Sequence, residues 1–174
     1  MTNLELTIKA LRHRVVTLDC NVLLLFVIGS VGKKHISKFK RTRIFNEDDY
    51  DLLRQLTQSS FIVLSPNVLT EASNLLESYN QDTQPLGLSA LQSLIKKTEE
   101  HYHSSSKLVD LNAYKKFGLA DASIEALCKN EAIAITVDLP LYGYLYSKSL
   151  AVINFNHVRI CLLYTSDAAD DDVR

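Results

Sequence analysis

Val15-Val16-Thr17-Leu18-Asp19-Cys20-Asn21-Val22-Leu23-Leu24 is the stretch that most restricts what this chain can fold into. β-Branched residues come first, an acid ends them, and an apolar run follows. That order predicts a buried parallel strand at about 14–19 and a helix over 20–29, ended by Gly29 or Gly32. It also sets Asp19 at the C-terminal edge of a sheet. Open α/β sheets bind their ligands at that edge.

Three more acids, Glu71, Asp121 and Asp138, reach the same edge by similar reasoning. Residues 61–64 (FIVL) read as a second strand. Ser65 and Pro66 then supply an N-cap and a proline at the first helical position. The helix that follows runs to about Glu77, with Val68, Leu69, Ala72, Leu75 and Leu76 on its core side and Glu71 in its second turn. A helix over 119–130 carries Asp121 in its first turn. A third strand over 132–137 ends at Asp138, Pro140 opens a helix over 140–149, and 150–154 forms the last strand. Each acid has a plainer reading: Glu71 as an ordinary exposed residue, and Asp121 as a charge on a helix dipole.

The rest of the chain supplies helices and breaks. Residues 3–12 predict a short helix. Asn46 is a good N-cap for the helix that starts at Glu47, and it makes Asp48 and Asp49 capping charges. Residues 78–87 read as a loop, 88–101 as an amphipathic helix, 104–106 as a break and 111–117 as a short helix closed by Gly118. His101 and His103, two apart on such a helix, would not share a face, which argues against a metal role. Helices separating short buried strands imply parallel pairing and right-handed crossovers. The expected fold is α/β, a three-layer α/β/α sandwich with a central parallel sheet, as one domain over 1–160.

Residues 33–43 (KKHISKFKRTR) hold the dense basic cluster of the chain: Lys33, Lys34, Lys38, Lys40, Arg41 and Arg43. A charge run of this kind is either a solvated loop or a phosphate-contacting surface beside the acidic site. The composition, 47% hydrophobic and 22% charged, is that of an ordinary globular domain. The longest apolar run, Val22 to Ile28, is seven residues, against the ~20 a membrane helix needs. No secretory signal is read at the N-terminus. Three cysteines, Cys20, Cys128 and Cys161, lack paired or metal-type spacing. A reducing cytoplasm without disulfides or zinc is the expected setting. Residues 161–174 resemble the conceptual translation of a sequencing adapter read in frame, and they are set aside as a non-native tail.

Four carboxylates at one edge repel unless something neutralises them. A hard divalent cation does so most economically, and an all-oxygen site suits Mg²⁺ or Mn²⁺. Such an ion lowers the pKa of bound water and stabilises charge on a phosphoryl group, which is the chemistry of phosphodiester hydrolysis. With these residues in place, LDCN at 18–21, LTEASNLL at 69–76, GLADASI at 118–124 and ITVD at 135–138 resemble the PIN-domain family. The likeness covers roughly residues 14–157. It implies a metal-dependent ribonuclease acting on RNA, with Asp19, Glu71, Asp121 and Asp138 as the catalytic and metal-binding acids. Asn21 and Thr136 match supporting polar positions. Many small PIN proteins are toxins of toxin–antitoxin pairs, so the likeness also implies an antitoxin protein as a candidate partner; a homodimer is a further candidate partnership.

Three other kinds of protein share parts of this pattern. A haloacid-dehalogenase-like phosphatase needs a second Asp two residues after the first, where this chain has Asn21. A response-regulator receiver needs adjacent acids before its first strand and a late strand-end lysine, and neither is present. A catalytically silent PIN-fold protein that binds RNA or serves as a scaffold fits the same motifs.

Overall fold

The computed structural model describes residues 3–77 and 84–160. In chain order these form α1 (Asn3–Leu11), β1 (Val15–Leu18), α2 (Cys20–Val31), a 3-10 turn (Lys33–His35), α3 (Glu47–Thr57), β2 (Phe61–Leu64) and α4 (Pro66–Glu77). Then come α5 (Gln84–Ile95), β3 (Glu99–Glu100), α6 (Ser105–Leu108), α7 (Asn112–Phe117), α8 (Leu119–Lys129), β4 (Ile133–Thr136), α9 (Leu139–Ser147) and β5 (Val152–Asn154). Residues 155–160 are helical as well. The expected non-native tail, 161–174, lies outside the described residues, as does the 78–83 part of the expected loop.

The five strands make one all-parallel sheet in the order β3-β2-β1-β4-β5, flanked by helices as a three-layer α/β/α sandwich. The chain leaves β1 toward β2 on one side, and β4 later takes the place on the other side. The strand order therefore reverses between β1 and β4, and a crevice opens there at the C-terminal edge. β1 and β4 are buried because both are central. Val16, Thr17, Leu18 and all four residues of β4 lie in the interior. α2 is apolar nearly all round and correspondingly buried, with Val22, Leu23, Leu24, Leu25 and Ile28 excluded from solvent.

Gly32 ends α2, and Gly29 lies inside it. Gly29 faces the ring of Tyr50 so closely that a Cβ would stand 2.2 Å from Tyr50 Cδ2. Glycine here lets α2 and α3 approach. α3 starts with a complete capping box: Asp49 N–H donates to Asn46 Oδ1 and Asn46 N–H donates to Asp49 Oδ2, at 2.9 and 2.8 Å. The other Asp49 oxygen accepts from Arg159 Nε at 2.6 Å, tying the helical segment after β5 to α3.

Three expectations are corrected. Residues 99–101 do not continue a helix: Glu99 and Glu100 pair with Val63 and Leu64 as the edge strand β3, and His101 N–H donates to Leu64 O at 2.9 Å. The sheet thus has five strands where the pattern suggested four. α5 begins four residues earlier than expected, because Pro85 is tolerated in a first helical turn and Gly87 packs against Leu76. Of the serines expected to break the chain, Ser104 stands at the N-cap and Ser105 and Ser106 begin the short helix α6. Among the described residues, no helix is long and apolar enough to cross a membrane.

Candidate functional site

Asp19 is the N-cap of α2 and follows β1 directly. Its Oδ1 accepts from Val22 N–H at 2.8 Å, the usual duty of a capping carboxylate. Its Oδ2 accepts from Val137 N–H at 3.0 Å and from the hydroxyl of Thr136. Three donors from two elements therefore hold this one carboxylate, which is only 4% exposed. Asp138 caps α9 in the same way, accepting from Leu141 N–H at 2.7 Å. Thr136 joins the two acids. Its Oγ1 donates to Asp19 and accepts from Asp138 N–H at 2.9 Å. The sequence pattern of strand, acid, apolar helix occurs twice, and the two copies meet side by side because β1 pairs with β4.

Asp121 lies half-buried in the first turn of α8, and Glu71 lies exposed in the second turn of α4. A buried hydrogen bond between Ser65 Oγ and Ser123 Oγ, 2.6 Å long, fixes how α4 and α8 approach. Ser65 Oγ also accepts from Val68 N–H at 3.2 Å, confirming it as the cap of α4. Ser123 donates to Ala120 O at 2.5 Å, so it receives the proton of Ser65. Two hydroxyls thus lock the starts of the helices that carry Glu71 and Asp121.

The electrostatics tie the four acids to one neighbourhood. Burial pushes the Asp19 carboxyl above the usual range, and Asp138 adds to this while the three hydrogen bonds oppose it. Partial burial raises Glu71, Asp19 raises it further, and Arg41 pulls it down. Asp121 is pushed from 3.8 up to about 7, first by burial and then by Asp19, Asp138 and Glu71. Burial also pushes up the Cys20 thiol, with help from Glu71 and Asp19, so it stays protonated and is no nucleophile. Asn21 is partly exposed in the first turn of α2.

Among the described residues, no group of three or more His, Cys, Asp or Glu side chains stands close enough to hold one metal ion. The oxygen-only donors at the rim nonetheless suit Mg²⁺ or Mn²⁺ in kind. Mg²⁺ is often held through one or two carboxylates, with water completing its shell. Burial is the larger cause of the raised Asp121, and the smaller one, the charge of Asp19, Asp138 and Glu71, is of the sort such an ion neutralises.

The basic run is anchored rather than loose. Ile36, Phe39 and Thr42 are buried, and Thr42 Oγ1 donates to Ile36 O at 2.7 Å. This arrangement turns Lys34, Lys38, Lys40, Arg41 and Arg43 outward. Lys33 is engaged, its ammonium 2.6 Å from Asp51 Oδ2. Of the six, Arg41 acts on both Glu71 and Cys20, which brings its charge toward the acidic rim.

One supporting acid was not legible as such. Glu125, one turn beyond Asp121 on α8, is buried and accepts from Ala113 N–H at 3.2 Å and Tyr144 Oη at 2.9 Å. Lys129 Nζ closes on its other oxygen at 2.9 Å. Glu125 therefore binds α7 and α9 to α8, and so keeps Asp138 and Asp121 in register. An acid inside the apolar face of a predicted helix was the available signal.

No family model matches this chain, and no curated protein is significantly similar to it in sequence.

Proposed function

We propose that this chain is a PIN-like endoribonuclease that hydrolyses RNA phosphodiester bonds with Mg²⁺ or Mn²⁺. What supports the reading is the electrostatic influence that Asp19, Glu71, Asp121 and Asp138, from four different elements, exert on one another, with Asp19 and Asp138 at the edge where the strand order reverses. A divalent cation bound there supplies an activated water and stabilises charge on the phosphoryl oxygens. The chain's own residues divide the remaining work. Asp19 is the fixed acid, held by three donors before any ligand arrives. Thr136 orients it and sets Asp138 beside it. Asp121 and Glu71 complete the negative rim from the opposite helices. The outward cations of 34–43, Arg41 foremost, offset the repulsion between an acidic site and a polyanion. A role as the toxin of a toxin–antitoxin pair, with an antitoxin or a second copy as partner, rests on the family resemblance alone.

A second reading has its own observation. The absence of a three-ligand cluster among the described residues favours a catalytically silent PIN-fold protein that binds RNA or acts as a scaffold. One experiment separates the two. A mixed RNA pool is incubated with Mn²⁺ or Mg²⁺ and either the wild type or Asp121→Asn. The nuclease reading expects metal-dependent fragments from the wild type alone. Bound but intact RNA with both proteins would refute it and leave the silent reading.

A further inference from the structure

α7 and α9 border a pocket of about 400 Å³ that takes no part in the acidic rim. Its lining is Asn112, Lys115 and Lys116 from α7, Tyr144 and Ser147 from α9, and Lys148 at the C-cap of α9. Three lysines therefore share one small space. Like charges so placed repel, and a nearby acid is the usual remedy. Among the described residues, no ion pair engages Lys115, Lys116 or Lys148. Glu125, the acid that holds the Tyr144 hydroxyl, has its oxygens taken by Lys129, Ala113 N–H and Tyr144 itself.

The walls are set before any ligand arrives. Tyr144 is only 7% exposed, its hydroxyl donates to Glu125 at 2.9 Å, and Phe117 stands edge-on to its ring at 5.6 Å. Lys116 Nζ lies 5.2 Å from the centre of the same ring, a cation–π contact that holds this α7 charge against α9. The backbone acceptors at this end of α9 are already met. Ser147 Oγ donates to Tyr144 O at 2.7 Å. Lys148 N–H and Leu150 N–H donate to Leu145 O at 3.1 Å, and Ser149 N–H donates to Tyr146 O at 3.0 Å. The lysines are left to water or to an anion from outside.

We propose that this pocket binds a phosphate monoester or pyrophosphate group. A monoester carries roughly two negative charges at neutral pH, whereas a diester link in RNA carries one. Three lysines without an acid favour the denser charge. Lysine meets phosphate as a point charge and needs no fixed fork geometry. Asn112 adds an uncharged amide donor. The pocket has the size of a small-ligand site, roughly 300–1,000 Å³, so the phosphate enters with the group that bears it. Asp138 caps the start of α9 and Lys148 its end, about 15 Å apart along the axis, so this site is separate from the rim. Two sources offer the same chemistry: a free phosphorylated small molecule, and the terminal phosphate of an RNA strand. The pocket requires neither metal nor cleavage at the rim.

The test is calorimetric titration of the full chain with pyrophosphate in EDTA, at an ionic strength held constant with chloride. EDTA keeps metal off the rim. The wild type and Asp121→Asn should bind alike. Lys115→Ala with Lys148→Ala should weaken binding about tenfold or more, as loss of charge-assisted contacts does, while leaving the Lys116–Tyr144 contact in place. A thermal melt without ligand checks that this double variant is folded. Absence of binding above the chloride control overturns the proposal, as does undiminished binding by the folded double variant. A clear change of affinity in Asp121→Asn would put the anion at the rim and also overturn it. A nucleoside monophosphate should bind better than a dinucleoside monophosphate, whose single link is a diester; equal affinity for the two refutes the preference for a monoester. Two short RNAs, one ending in a phosphate and one in a hydroxyl, assign the source. Tighter binding of the phosphorylated strand, lost in the double variant, supports the pocket and assigns it to strand ends. Equal binding of the strands, beside lysine-dependent binding of the nucleoside monophosphate, supports it and assigns it to free small molecules. None of these arms reads cleavage, so the nuclease reading stands or falls apart from them.

Discussion

Replacing Asp121 by asparagine should stabilise the metal-free protein, and by an amount that depends on pH. In the folded chain this carboxyl titrates at about 7, against 3.8 for the ordinary group. Its pKa is raised, so the folded state binds the proton more tightly than the unfolded state does. Below pH 3.8 both states are protonated and the penalty vanishes. Between 3.8 and about 7 the unfolded chain ionises first, and stability falls as pH rises. Above about 7 the penalty is complete. At 1.36 kcal/mol per pKa unit it comes to about 4 kcal/mol. Solvent reaches part of the side chain and lessens both the cost of burial and the repulsion from Asp19, Asp138 and Glu71, leaving about 2 kcal/mol. For a domain of this size that corresponds to roughly 4–8 °C in Tm. Asparagine keeps the shape and cannot ionise. Thermal melts in EDTA should therefore show Asp121→Asn ahead of the wild type by several degrees at pH 8, with a clearly smaller lead at pH 5. A variant that melts lower than the wild type at both pH values would refute the reasoning. It would mark Asp121 as a favourable charge on the α8 dipole rather than a repelled member of the rim.

Three further outcomes follow from the geometry. Thr136→Val removes the hydroxyl that joins Asp19 to Asp138 N–H; chemical denaturation should show a loss of about 1–3 kcal/mol, because buried partners are left unmet. Gly29→Ala puts a methyl into the Tyr50 ring and should cost roughly 1–3 kcal/mol by the same assay, whereas an unchanged midpoint would show that α2 and α3 separate freely. Replacing Lys38, Lys40 and Arg41 by alanine should weaken RNA binding in Ca²⁺ and flatten its log–log salt slope by roughly 0.7 per lost phosphate contact, with metal affinity unchanged. An unaltered slope would make the run a solvated surface only.

What was legible in the sequence were features that lie within a few residues of one another. Val15 to Leu24 announces a strand, an acid and a helix because all three signals are contiguous, and β4 with Asp138 and Pro140 repeats the grammar. The caps at Asn46 and Ser65 were readable for the same reason. β3 was not, because Glu99 and Glu100 carry no strand propensity and owe their state to the neighbouring edge of β2. α5 was read late because Pro85 and Gly87 signal a loop locally, while contact with Leu76 decides otherwise. The lock between Ser65 and Ser123 spans 58 positions, and nothing near either serine foretells it. The rim acids follow from motif order, and the capping bonds of Asp19 and Asp138 are local, but the bonds that tie Asp19 to Thr136 and Val137 come from such a distant pair.

The bond from Thr136 to Asp19 joins residues 117 positions apart. The pairing of β1 with β4 that brings them together closes one of the longest loops in the chain. Contacts of this separation form slowly, after local helices and after β1 has met β2. A chain still being synthesised thus carries Asp19 with its local partner Val22 but without Thr136 and Val137 for most of its production. Until β4 arrives, the rim is an unassembled set of acids on separate pieces. Assembly of the site should therefore be a late kinetic event, its appearance in refolding experiments trailing the burial of α2 rather than accompanying it.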